Sequence, residues 1–322
     1  MRIHLQNPID DPLFHFSRAM WDAAAGRTND HDVTIGSTKA DFAAAMTEAE
    51  ALVCDAGVVK AYLPIVAPHL KLLFLTNAGL DGLAPFDWLP PGVALMNNRG
   101  THAAKSGEFA IMAVLMLANR IPAMMTNQRA GRWQKLWGSV LADRRITILG
   151  LGTLGGAVAE HAHRFGMRVT GVRTTATAHP HYERVIATTD LDSVLPSTEF
   201  LVLACPLTGA TRGLISRARL SRLPSGAGII NIGRGELLDQ DALCDFLDTG
   251  HLSGAVLDVF TREPIPEGHR LWTTPNLVIS PHTSADDPAT YNPRSLDIFV
   301  QNVLAYQAGQ PLPNLFDIKR GY

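Results

Sequence analysis

Three polar stretches in the second half of the chain begin where short apolar runs end. Gly228-Ile-Ile-Asn-Ile232 gives way to Gly233-Arg234-Gly235, Gly254-Ala-Val-Leu257 to Asp258-Val-Phe-Thr-Arg-Glu263-Pro264, and Leu277-Val-Ile279 to Ser280-Pro-His282-Thr-Ser284. Read as strands, these runs set an arginine, a carboxylate and a histidine at strand carboxyl ends, where α/β sheets hold their ligands. Any one of the three alone is as readily a cap or a solvated turn. Together they suit hydride transfer at an alcohol or carbonyl carbon. A base must take the hydroxyl proton as hydride leaves carbon, and the matching acid returns it in reduction; an imidazole serves both near neutral pH. Beside it, Glu263 would fix the ring of His282 and stabilise its protonated form. Arg234 would bind a substrate carboxylate and polarise the carbonyl as negative charge develops. The glycines flanking Arg234 are expected to let backbone approach a ligand and to project the guanidinium outward.

Hydride chemistry needs a carrier, and one segment is built to hold it. Ile146-Thr-Ile-Leu-Gly150-Leu-Gly152-Thr153-Leu154-Gly155-Gly156 runs from an apolar strand into a glycine-rich turn, then a helix-like stretch and a second strand at 168–172. In such a unit Gly150 permits the tight turn, Gly152 lets backbone approach a pyrophosphate, and Gly155 lets helix pack on strand. The helix start then offers free N–H groups and its positive dipole end to phosphates. Selectivity for NAD(H) usually comes from an acid at the end of the second strand. Here that strand ends Val172-Arg173-Thr174-Thr175. A guanidinium fork and hydroxyls suit a 2′-phosphate, so NADP(H) is expected, with Arg173 and Thr174 as contacts. NAD(H) stays possible, because Arg173 could equally lie over the adenine of either cofactor.

The remaining composition narrows the class. A chain of 322 residues with 46% hydrophobic and 18% charged residues has room for two domains with real cores. A net charge of −2 gives no electrostatic case for nucleic acid or a membrane as partner. The three cysteines, Cys54, Cys205 and Cys244, are widely spaced, which argues against a disulfide or metal framework and for a reducing compartment. The first residues lack a basic-then-apolar signal pattern, and the longest apolar run, 109–118, is too short to cross a bilayer. A cytoplasmic protein is expected.

Strand-like runs at 2–5, 51–54, 70–75 and 93–96 alternate with helical stretches, one including 46–50 and another at 61–69 broken at Pro64. That βα alternation predicts a first parallel-sheet domain. Residues 103–119 form a helix apolar nearly all round, hence one buried between domains or subunits. Residues 122–142 read as an irregular excursion in which Trp133 and Trp137 accompany arginines, the composition of an interface. The dinucleotide unit begins only near residue 145, and a last helix near 292–308 could return to the first domain. A discontinuous arrangement is therefore expected: residues 1–99 plus 288–322 as a substrate domain, 100–287 as an inserted dinucleotide domain, and the substrate cleft between them.

Two further blocks, Leu70-Lys-Leu-Leu-Phe-Leu-Thr-Asn77-Ala78-Gly79-Leu-Asp81 and Leu203-Ala-Cys205-Pro206-Leu-Thr-Gly-Ala-Thr211-Arg-Gly-Leu-Ile215, join those around Arg234, Glu263 and His282. Over residues 50–310 this joint pattern resembles the D-2-hydroxyacid dehydrogenase family. The resemblance implies an α/β fold of two Rossmann-like domains with parallel sheets, and Arg234, Glu263 and His282 as the catalytic set. It implies that backbone at Ala78 and Gly79, with Arg234 and His282, binds substrate. Cys205, Pro206 and Asp258 would lie beside the nicotinamide, Asp258 near its carboxamide. Gly150, Gly152, Thr153, Leu154, Gly155, Arg173, Thr174, Thr211, Ile232, Gly233 and Ser284 complete the implied cofactor contacts. It also implies a homodimer packed through 100–142, with 120–142 as an arm and Trp133 or Trp137 reaching the partner's substrate site. Two departures stand out. Arg173 replaces the usual acid, as in the family's NADP-dependent glyoxylate and hydroxypyruvate reductases, and His282-Thr-Ser-Ala-Asp286 lacks a common glycine near Ala285. The expected activity is NADPH-preferring reduction of small 2-oxo acids such as glyoxylate and hydroxypyruvate to D-2-hydroxy acids. The alternatives are NAD-dependent formate or phosphite oxidation, and a non-enzymatic dinucleotide-sensing dimer.

Overall fold

Every strand pairing in the two sheets of the computed structural model is parallel. The structure describes residues 1–26 and 30–321; residues 27–29 and 322, which fall in the expected first domain, lie outside the described residues. The chain divides into two compact units, one of Met1–Thr101 with Asp286–Tyr322 and one of His102–Ala285.

The first unit contains β1 (Arg2–Gln6), α1 (Arg18–Ala25), β2 (Asp32–Gly36), α2 (Lys39–Met46), β3 (Ala51–Cys54), α3 (Ala56–Tyr62), β4 (Leu72–Leu75) and β5 (Ala94–Asn97). Its sheet order is β2-β1-β3-β4-β5. The period-two alternation of side chains divides each strand between two cores. Leu52, Cys54, Leu73, Leu75 and Leu95 pack with Phe42, Val58 and Val59 on one face. Ala51, Val53, Leu72, Phe74 and Met96 pack on the other with Trp21 and with Leu296, Phe299 and Val303 of the last helix, α9 (Tyr291–Gln307). The carboxyl-terminal helix thus returns to cover the sheet begun by the first strand.

The second unit contains α4 (Ala103–Ala118), α5 (Ile121–Arg129), β6 (Arg145–Leu149), α6 (Thr153–Arg164), β7 (Arg168–Arg173), β8 (Arg184–Ala187), β9 (Phe200–Leu203), α7 (Arg217–Leu220), β10 (Gly228–Asn231), α8 (Gln240–Asp248), β11 (Gly254–Leu257) and β12 (Leu277–Ile279). The order β12-β11-β10-β9-β6-β7-β8 reverses direction between β6 and β9. Such a switch point is where doubly wound sheets bind ligands. Ile146, Ile148, Val202, Ile230 and Val256 pack with α4 and α6, while Leu201, Leu203, Ile229 and Leu257 pack on the opposite face with α8.

The expected α/β class with two parallel sheets is the one formed, but several local expectations are overturned. Of the segment 61–69 only 61–62 are helical: α3 starts upstream at Ala56, where Asp55 accepts the N–H of Val58, and ends before the Leu63-Pro64 step, where proline disfavours helix. Likewise α2 stops at Met46, so 47–50 lie outside it. The first part of 122–142 is regular, because Pro122 sits in the first turn of α5, where its missing N–H costs nothing. Nor is α4 buried nearly all round. Its Ala110, Ala113, Val114 and Leu117 are covered, whereas Met112 is 44% exposed and lines an apolar hollow with Ile111, Leu115 and Met116.

Candidate active site

All the candidate cofactor residues of the second unit lie at the carboxyl edge of its sheet, since its strands are parallel. At the centre, Gly150 follows β6 with φ +93°, and its N–H donates to Val172 O at 2.8 Å. A Cβ on Gly150 would lie 2.6 Å from Cys205 Cα, so the turn after β6 is packed against the loop after β9. A Cβ on Gly155 would collide with the Gly150 carbonyl oxygen, as close helix–strand packing requires. At Gly152 a Cβ would meet nothing within 4 Å. Gly152 is also the N-cap of α6, and no side chain caps that helix, so the amides of Thr153 and Leu154 open its first turn. Open space and an uncapped helix start suit a pyrophosphate. These residues fit a dinucleotide.

Arg173 is the last residue of β7, the strand beside β6, and Thr174 follows it; both are exposed. The later segment is tied back to the turn by Tyr182, whose hydroxyl donates to Gly155 O at 2.8 Å.

His282 follows β12 and has φ +55°, a left-handed conformation that costs energy for a residue with a side chain. Asp258, after β11 and 1% exposed, holds it there. The backbone O of Asp258 accepts the His282 N–H at 2.9 Å, and Oδ1 accepts the N–H groups of Thr283 and Ser284 at 2.9 and 3.1 Å. The ring is fixed separately. His282 Nδ1 lies 2.7 Å from Glu263 Oε2, and Glu263 Oε1 accepts the Phe260 N–H at 2.8 Å. Both side chains keep surface, 49% for His282 and 35% for Glu263.

Arg234 is held by the strand before it. Asn231, fully buried, donates from Nδ2 to Arg234 O at 2.9 Å and accepts the Gly233 N–H at 3.0 Å. The guanidinium Nη1 donates to Gly233 O at 2.8 Å. The flanking glycines also serve the packing of the chain itself. A Cβ on Gly235 would collide with the Phe260–Thr261 backbone, and one on Gly233 would lie 3.0 Å from Cys205 O. They let the arginine turn dock on its own chain.

The outer contacts divide. Ile232 continues β10 and is buried. Cys205 is buried after β9, and burial pushes its thiol up to about 12. The hydroxyls expected to meet the cofactor at Thr211 and Ser284 are engaged by protein groups. Thr211 donates to Pro206 O at 2.7 Å, and Ser284 donates to Asp258 Oδ2 at 2.5 Å. The Asp258 carboxylate, expected near the carboxamide, is turned to residues 283–284. In the first unit, Ala78 and Gly79 follow β4. Ala78 O accepts from Asn97 Nδ2 at 2.8 Å, while the N–H groups of Ala78 and Gly79 donate to no group among the described residues. Asn231 is a positioning residue whose one signal in the sequence is an amide closing an apolar strand two residues before Gly-Arg-Gly.

Residues 111–284 match the NAD binding domain of D-isomer specific 2-hydroxyacid dehydrogenases. The chain is 30% identical over 274 residues to the glyoxylate reductase of Korarchaeum cryptofilum, covering 81% of this chain and 82% of that protein. A D-isomer specific 2-hydroxyacid dehydrogenase from Xanthobacter autotrophicus, solved with NADPH and MES, is 30% identical, with a TM-score of 0.86 over 99% of each chain. The NADPH-dependent glyoxylate/hydroxypyruvate reductase of Sinorhizobium meliloti, solved with NADP and sulfate, is 25% identical, with a TM-score of 0.82 over 100% of this chain and 99% of that one. The chain belongs to the D-isomer specific 2-hydroxyacid dehydrogenase family and is an oxidoreductase that takes a nicotinamide dinucleotide.

Proposed function

We propose that the protein is an NADPH-preferring reductase of small 2-oxo acids, glyoxylate and hydroxypyruvate foremost, that forms D-2-hydroxy acids. The observation that carries this reading is the 2.7 Å pairing of His282 Nδ1 with Glu263, on the same sheet edge as the Gly150–Gly155 turn. When bound, the dinucleotide supplies hydride to the 2-oxo carbon. Glu263 holds the imidazole through Nδ1, which leaves Nε2 as the atom that hands a proton to the developing alkoxide. Arg234 offers its guanidinium to the substrate carboxylate and the polarised carbonyl. The undonated amides of Ala78 and Gly79 in the first unit suit a carboxylate.

For the cofactor, Gly152 and the α6 amides take the pyrophosphate, and Arg173 with Thr174 takes the 2′-phosphate. The absence of an acid at the end of β7 and the NADPH and NADP in the Xanthobacter and Sinorhizobium structures support this choice. We also propose a homodimer through the bare face of α4 and the arm in which Trp133 and Trp137 are 97% and 82% exposed. Light scattering with and without Met112→Arg tests that assembly: a dimer that dissociates supports it, and a wild-type monomer overturns it. Steady-state reduction of glyoxylate and hydroxypyruvate, beside oxidation of formate and phosphite, tests the reaction. Turnover of the oxo acids supports it, and turnover of formate or phosphite alone contradicts it.

A further inference from the structure

We infer that Gln240 is a positioning residue that holds the Glu263 loop in register with His282. The inference rests on the catalytic reading of Glu263 and His282. Residues 259–263 leave β11 as a loop whose Thr261, Arg262 and Glu263 are exposed. Behind that loop lies a cavity of about 360 Å³, lined by Asp239, Phe260, Thr261, Ile265 and Leu271 among others. Phe260 is buried in the core of the unit, whereas the exposed Thr261 lines that cavity, so hydrogen bonds must set the register of the loop there.

Gln240 supplies them. It opens α8, whose start is fixed by Asp239 accepting the Ala242 N–H at 2.9 Å. Its Oε1 accepts from Thr261 N at 3.3 Å and from Thr261 Oγ1 at 3.1 Å, and its Nε2 reaches Val259 O at 3.4 Å. These contacts straddle Phe260, and Phe260 N–H is the donor that orients Glu263 Oε1. Gly235 closes the clamp, since even a methyl there would strike the Phe260–Thr261 backbone. The chain of command runs from Gln240 through the Phe260 peptide to Glu263, and from Glu263 to the His282 ring.

The test compares Gln240→Ala, Gln240→Glu and Glu263→Gln, with Gln240→Ala also placed in the Glu263→Gln background. Gln240→Ala should lower kcat by about ten- to a hundredfold with KM for the oxo acid little changed, the scale of a misplaced catalytic group. Gln240→Glu keeps the shorter acceptor bonds to Thr261 and should restore most of the rate. In Glu263→Gln, Gln240→Ala should cost nothing further, because both act on one contact. Imidazole NMR of ¹⁵N-histidine protein reads the same contact without turnover: the His282 Nδ1–H resonance bonded to Glu263 should weaken or move in Gln240→Ala and return in Gln240→Glu. Unchanged kcat and an unchanged resonance would overturn the inference, as would an equal loss in the Glu263→Gln background. Absence of wild-type turnover counts against the proposed function alone, since the resonance still decides the role of Gln240.

Discussion

His282 Nδ1 and Glu263 Oε2 lie 2.7 Å apart, and the imidazole they fix belongs to a residue whose backbone is itself held at φ +55°. Two independent restraints, Asp258 on the backbone and Glu263 on the ring, thus aim one side chain. His282→Ala should lower kcat by about two to four orders of magnitude, the range for losing a general acid. NADPH affinity, read by fluorescence titration, should hardly change. Near-normal turnover of that variant would remove His282 from the mechanism.

Arg173→Asp tests the cofactor assignment. A carboxylate at the end of β7 would repel a 2′-phosphate and accept the ribose hydroxyls of NADH. The NADPH Kd should rise by about tenfold or more while that for NADH holds or falls, a loss of about 1.4 kcal/mol or more. Equal NADPH affinity in wild type and variant would sink the phosphate role of Arg173.

The glycine turn separates packing from binding. Gly155→Ala places a methyl against Gly150 O, and overpacking of this kind costs about 1–3 kcal/mol, so Tm should fall. Gly152→Ala enters open space and should leave Tm nearly unchanged while weakening dinucleotide binding. Thermal melts with and without NADPH distinguish the two, and a Gly152→Ala protein that binds NADPH normally would contradict the pyrophosphate placement.

Cys54, Cys205 and Cys244 are all buried, and burial raises each thiol; Cys205 reaches about 12. Thiolate is the reactive form, so the native protein at pH 8 should react slowly with a disulfide reagent and fully only once unfolded. Rapid labelling of Cys205 in the native state would show that its loop is open.

The readable parts of the sequence were those whose physics is local. The central strands β3, β4, β6, β9 and β10 are covered on both faces and appear as continuous apolar runs. The edge strands β2 and β8 are half exposed and mixed in composition, so nothing marked them. Arg234, Glu263 and His282 stood out because each ends an apolar run. The glycines beside Arg234 were visible but their partner was not, since a missing Cβ can serve a ligand or the chain's own backbone. Gln240 was silent for a related reason. Its partners lie some twenty residues on, at Val259 and Thr261, and only the packing of α8 beside β11 brings them within reach.

The ratio of kcat/KM for NADPH to that for NADH, measured in the reduction of hydroxypyruvate and glyoxylate, tests the central claim most directly. The account predicts turnover of both acids, with NADPH favoured by about tenfold or more through the charge at Arg173. A preference for NADH, or an inert protein that nonetheless binds NADPH tightly, would contradict it.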